Sequence, residues 1–236
     1  MVREGTKEGL ISVTSHDTDH ICELVIQILA KSNQIKPPVD LALVAESLGI
    51  EIILSDLTPD VTVLTDAEDR TIILNENQPE EVRTYGIAHG IAEFLCVDDL
   101  DDSARREWIS LMATELLLPT DWFRPIGFIY NWNLINLKCL FPNVSYELLA
   151  RRIIDFHPSL VTIVSDGRIL SRQAFQGIRF PTELIPEEGA AYRNTHVSRR
   201  PDEVSGRNCR VRAWPIDGHN DRCILLTEVF PTTASK

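Results

Sequence analysis

His89 and Glu93 stand four residues apart in the stretch Arg83-Thr-Tyr-Gly-Ile-Ala-His-Gly-Ile-Ala-Glu-Phe-Leu95. On a helix that spacing is close to one turn, so both side chains project to the same side. An imidazole and a carboxylate so placed are two of the ligands with which a helix grips a divalent metal. The helical period sets His89 on an apolar stripe with Tyr85 and Ala92, and Glu93 at its edge. A carboxylate at such an edge needs a partner, because an unpaired charge out of water is costly. A second helical pattern follows the acidic segment Asp98, Asp99, Leu100, Asp101, Asp102. On it residues 106, 109, 110 and 113 share a face. Glu107 lies about 100° around the helix from Arg106.

The elements that must hold these residues are legible from periodicity and punctuation. Ile21, Leu24, Val25, Ile28 and Leu29 recur at helical spacing, and Pro37-Pro38 stops that element. Asp40 is an N-cap for a short helix, Leu41 to Leu48, ended by Gly49. Ile50 to Leu54 reads as a strand. Val61 to Leu64 and Thr71 to Leu74 read as a hairpin around Asp66 to Arg70. Helices are expected over Glu80 to Cys96 and Ala104 to Leu118, the second capped by Asp102 or Ser103 and ended by Pro119. A helical pair follows at Asn133 to Leu140 and Ser145 to Phe156. Beyond Pro158 the pattern turns to hairpins: one around Asp166-Gly167, the other pairing Arg210 to Ile216 with Cys223 to Val229. The expected class is α+β with a mainly β C-terminal part. The expected division is a loose N-terminus over 1–20, a core over 21–158 that includes the helical pair at 133–156, and a β-rich part over 159–236.

Composition limits the function. The chain has 236 residues, 23 Lys and Arg against 35 Asp and Glu, and a net charge of −12. That balance argues against nucleic acid and anionic lipid as partners. Arg151 and Arg152 could serve a recognition helix, but Glu147 and Asp155 share it. Arg193, Arg199, Arg200, Arg207, Arg210 and Arg212 make the C-terminal third locally basic, chiefly as a solvated face. No apolar run reaches the ~18 residues of a membrane span. Five scattered cysteines without a Cys-x-x-Cys pair fit a reducing cytoplasm.

The order and spacing of these motifs resemble the ImmA/IrrE family of metallopeptidases. The residues that carry the resemblance are Ile72-Ile-Leu-Asn75, Tyr85-Gly-Ile-Ala-His89, the acidic linker, and Ala113-Thr-Glu-Leu-Leu-Leu-Pro119. Upstream, Pro38 to Ile50 is similar to the family's opening helix. Downstream, Asn136 to Arg152 is similar to its helix-turn-helix-like piece. The resemblance implies a zincin-like helical core with a small antiparallel sheet. It also implies a zinc site on a His-Glu-x-x-His helix, completed by a Glu four residues before an Asn on the next helix.

Position by position, this chain departs from that pattern. His89 keeps the first ligand, Gly90 stands at the general base, and Glu93 stands at the second His. Placing the family's Asn at Ser110 puts Arg106 at the third ligand. A zinc hydrolase needs both a metal-bound water and a base. Glycine offers no base, and an arginine cannot bind a metal. The expectation is a catalytically inactive relative without a cofactor, in which a Glu93–Arg106 ion pair, with His89 alongside, takes the metal's place. The resemblance then implies a cytoplasmic regulatory protein that binds a repressor-like partner in a stress-response or mobile-element setting, its C-terminal part a sensor or interaction module. The alternative is a metal-dependent peptidase with a site of His89, Glu93 and Glu107 holding Zn or Mn. Its base would come from Glu115 or the Asp98 to Asp102 segment.

Overall fold

A computed structural model describes residues 15–56, 63–96, 100–216 and 221–230. Among them the chain forms two compact units, Met1–Trp122 and Phe123–Lys236. The class is α+β, as its sequence indicates.

The first unit opens with α1 (Ser15–Lys31) and α2 (Leu41–Ser47). The opening helix thus begins before Ile21, inside the stretch expected to be loose. The Asp40 carboxylate accepts from the backbone N–H groups of Ala42 and Leu43, which fixes the start of α2. Three strands follow: β1 (Glu51–Ser55), β2 (Val63–Asp66) and β3 (Thr71–Asn75). They form one sheet in the order β1-β3-β2. The hairpin β2–β3 is antiparallel as expected, but β1 joins β3 in parallel. The small sheet is therefore mixed rather than antiparallel, because α2 leads into β1 in the direction that β3 follows. Two long helices complete the unit, α3 (Glu80–Leu95) and α4 (Asp102–Leu117). Asp101, not Asp102 or Ser103, caps α4 through the N–H groups of Ser103 and Ala104. Ile21, Val25 and Ile28 of α1, Ala88, Ile91 and Ala92 of α3, and Met112, Ala113 and Leu116 of α4 are buried with Ile72 and Leu74 of β3.

Sequence periodicity missed α5 (Thr120–Ile129), which carries Pro125 inside it. Its second half belongs to the other unit, followed by α6 (Leu134–Leu140) and α7 (Tyr146–Ile153). Gly127 allows the Trp132 ring to lie across α5, at a place where any Cβ would overlap it. Trp132 is stacked on Phe156 and His157 and is buried. The C-terminal sheet holds β4 (Ser159–Ser165), β5 (Arg168–Ala174), β6 (Asp202–Ser205), β7 (Cys209–Pro215) and β8 (Cys223–Val229), all antiparallel, in the order β5-β4-β8-β7-β6. Asp166 and Gly167 both take positive φ in the β4–β5 turn, as an Asp-Gly type I′ turn requires. One further helix, α8 (Pro186–Ser198), was not evident from the sequence, since it is largely polar. It packs on β6, β7 and β8 and buries Ala191 against Val211, Ala213 and Leu225.

Candidate functional site

The site is built on α3 and the β2–β3 hairpin. Register places Val63 opposite Leu74 and Thr65 opposite Ile72. Val63, Leu74 and Ile72 all face α3, where they meet its two glycines, Gly86 and Gly90, one turn apart. A Cβ on Gly86 would lie 3.1 Å from Leu74 Cδ2. On Gly90 it would lie 2.8 Å from Ile72 Cδ1 and 2.9 Å from Ile72 Cγ1. The helix can approach the hairpin this closely only because both positions lack side chains. The position at which the resemblance puts a general base is therefore closed by the apolar side chain of Ile72.

His89 and Glu93 project beside that contact, as their spacing predicts. His89 Nδ1 lies 3.6 Å from Glu93 Oε1, with the two side chains 34% and 32% exposed. That separation is close for a charge pair and long for a hydrogen bond. Nδ1 itself is buried and, among the described residues, has no hydrogen-bond partner. The other Glu93 oxygen, Oε2, accepts a 2.7 Å hydrogen bond from the Thr65 hydroxyl on β2. Tyr85 lies one turn earlier, its ring centroid 6.2 Å from that of His89. Thr65 is the residue that sequence reasoning missed. The hairpin pairing that turns it towards α3 is its only signal, and that register was not fixed in advance.

The expected Glu93–Arg106 ion pair does not form. Arg106 is exposed on α4 and has no ion-pair partner among the described residues. It shares a face with Ala113, but burial along that face begins only at Ile109, so the first turns stay in water. The energetic reason is plain: Glu93 obtains a donor from Thr65, while burying a guanidinium would cost its hydration. Glu107 is exposed too. Among the described residues no three His, Cys, Asp or Glu side chains converge as a metal-holding group, so His89, Glu93 and Glu107 are not brought together. Zinc hydrolases use three protein ligands and a water. Among the described residues, two donors beside a closed base position do not fit that group.

Of the other proposed bases, Glu115 and Asp101 are engaged elsewhere. Glu115 is buried and caps α5, accepting from Thr120 N–H at 2.6 Å and from the Thr120 hydroxyl at 2.9 Å. Asp101 caps α4, Asp102 is exposed, and Asp98 and Asp99 lie outside the described residues. On α7, Arg152 is buried, bonded to Asp155 and stacked over Phe156, which leaves Arg151 as that helix's exposed arginine. Glu147 is bonded to Arg222. Of the C-terminal arginines, Arg193, Arg200 and Arg207 are exposed and three others are engaged in ion pairs. Arg210 and Arg212 both donate to the buried Glu228, at 2.5 and 3.0 Å, and Arg199 pairs with Asp221. His157 adds a third bond to Glu228 at 2.7 Å. Burial pushes the Glu228 carboxyl up, but the bonds from His157 and Arg210 and the Arg212 charge outweigh it and bring it down to about 2.

Residues 45–153 match the family model of the IrrE N-terminal-like domain. That segment, a little under half of the chain, is similar to the IrrE N-terminal-like domain. The matched segment runs from α2 to the end of α7 and includes the α3–β2–β3 site. No curated protein matches the chain. Among solved structures, a Mycobacterium tuberculosis transcriptional regulator shares the fold with a TM-score of 0.68 at 15% identity, over 92% of this chain and 78% of that one. No described helix is long and apolar enough to cross a membrane.

Proposed function

We propose that this IrrE-like protein is a regulatory member of its family in which hydrolysis has been lost and the surface around His89, Glu93 and Thr65 binds a protein partner. The observation that carries the reading is the Gly90–Ile72 contact. The base position is filled by a core residue, so a single substitution there would not restore a catalyst. Arg106 and Glu107 support it, since both are exposed on α4 and, among the described residues, neither forms an ion pair or metal-holding group with His89 and Glu93. A regulator of transcription with the same fold supports a regulatory setting. A repressor-like partner, a cytoplasmic location and a stress-response or mobile-element context are the expectations that the family carries.

The test is metal content and cleavage measured on the same untagged protein. Plasma mass spectrometry before and after dialysis against zinc and manganese should find less than about a tenth of an equivalent, because two half-exposed donors hold a metal weakly. A casein or repressor-fragment digest should be unchanged by chelator. Near one equivalent, lost on His89→Ala together with proteolysis, would overturn the reading.

A further inference from the structure

We propose that a Lys or Arg side chain of the partner protein inserts beside Glu93 and His89, supplying in trans the cation that this chain does not supply itself. The inference rests on the protein-binding reading above and names the chemistry of the contact. Three observations carry it.

Glu93 is incompletely served. Its Oε2 has the Thr65 hydroxyl, its Oε1 has only the imidazole at 3.6 Å, and a third of the side chain is open to solvent. Among the described residues no lysine or arginine lies within ion-pair distance of it. The two arginines that might be considered are placed elsewhere. Arg106 is exposed on α4. Arg70 donates to the Leu48 carbonyl at 3.1 Å and lies over the Phe94 ring.

The groups beside Glu93 suit a cation. A guanidinium or ammonium between Glu93 Oε1 and solvent would form a charge-assisted hydrogen bond to the carboxylate. The Tyr85 ring beside His89 offers an aromatic wall for the aliphatic stem or the charge. Asp66, Glu68 and Asp69 cap the adjoining hairpin and are exposed.

The charge of the unit favours the same partner. Residues 1–122 hold eight Lys and Arg against 24 Asp and Glu, a net of −16, whereas residues 123–236 hold 15 against 11, a net of +4. A field of that sign attracts basic surfaces and repels acidic ones.

The experiment uses the full chain and three blocked peptides, acetyl-Ala-Arg-Ala-amide and its citrulline and norleucine counterparts. Each is titrated to about 10 mM at low salt while the Thr65 methyl and His89 ring resonances are followed by NMR, a range suited to millimolar affinity. The arginine peptide should shift both resonances, and the citrulline and norleucine peptides should not. Glu93→Gln should abolish the shifts, Glu107→Gln should leave them, and physiological salt should weaken them several-fold. Equal shifts with citrulline, persistence in Glu93→Gln, or no shift with any peptide would overturn the proposal. Circular dichroism of Glu93→Gln checks that it folds. In parallel, a benzophenone amino acid at Tyr85 reports whether any protein contacts this face in cells. Crosslinks without an arginine effect leave the partner reading standing and sink the cation; an arginine effect without crosslinks supports the cation site and counts against a partner there.

Discussion

If Gly90 is glycine because Ile72 occupies the adjoining space, the two positions must be energetically coupled. Gly90→Ala adds a Cβ 2.8–3.1 Å from three Ile72 side-chain atoms, closer than a packed core accepts. Overpacking of this kind costs about 1–3 kcal/mol. Alanine recovers about 1 kcal/mol of helix propensity over glycine. The net expectation is a loss of roughly 0–2 kcal/mol. Ile72 is fully buried, so Ile72→Ala alone should cost about 2–5 kcal/mol. That change also removes the three atoms nearest to the new Cβ. In the Ile72→Ala background Gly90→Ala should therefore become stabilising by about 1 kcal/mol, and the cycle should show a favourable coupling of about 1–3 kcal/mol. Urea midpoints at constant m measure the four proteins, and hydrogen exchange of the α3 amides assigns the change to this unit. Additivity within about 0.3–0.5 kcal/mol, or a clear gain from Gly90→Ala in the native background, would refute the reasoning. Gly90→Glu should be worse than Gly90→Ala, since it presses a carboxylate on the same apolar wall, and it should not restore hydrolysis.

Arg106→Ala should change stability by no more than about 0.5 kcal/mol in a urea titration, as for an exposed side chain, where a buried ion pair would lose about 3–5 kcal/mol. Glu115→Ala removes both acceptors from Thr120 at the start of α5; a loss of about 1–3 kcal/mol is expected by thermal unfolding. Glu228 has its folded carboxyl near 2 against an ordinary 4.5, so its contribution is complete above pH ~4.5 and is lost as pH falls towards ~2. The span corresponds to roughly 3 kcal/mol. Stability measured across that window should fall with acid, and Glu228→Gln should flatten the slope while destabilising the protein at neutral pH by leaving the buried Arg212 unpaired.

The parts of this chain that the sequence disclosed are those fixed by short-range rules. Asp40 caps its helix, Asp166-Gly167 makes its turn, and His89 and Glu93 share a side of α3, each because of residues within four positions. What was hidden depends on pairing across the chain. Thr65 reaches Glu93 only because β2 meets β3 with Thr65 opposite Ile72. Arg106 had the right face but the wrong depth, and depth is set by where the neighbouring helices end. Pro125 masked α5, since a proline inside a helical stretch lacks the N–H for the i→i−4 bond and reads as a break. The polar run of α8 hid a helix whose only deep contacts are Ala191, Thr195 and Glu188.

The carboxylates of the chain separate into two kinds by how many donors reach them. Glu188 is fully buried and accepts from Arg172, Thr227 and the Ile185 N–H. Glu228 is nearly as buried and accepts from His157, Arg210 and Arg212. Each has three donors, and each fastens one element to another; an ion so enclosed is stable only when its lone pairs are filled, which leaves no capacity for a ligand. Glu93 has one donor at hydrogen-bond distance, a neighbouring imidazole, and an open side facing water. Water meets its remaining demand at little cost, so the fold does not require the residue to be an acid. A glutamine would keep the Thr65 bond equally well. Glu93→Gln therefore separates the charge at this position from its hydrogen bond to Thr65.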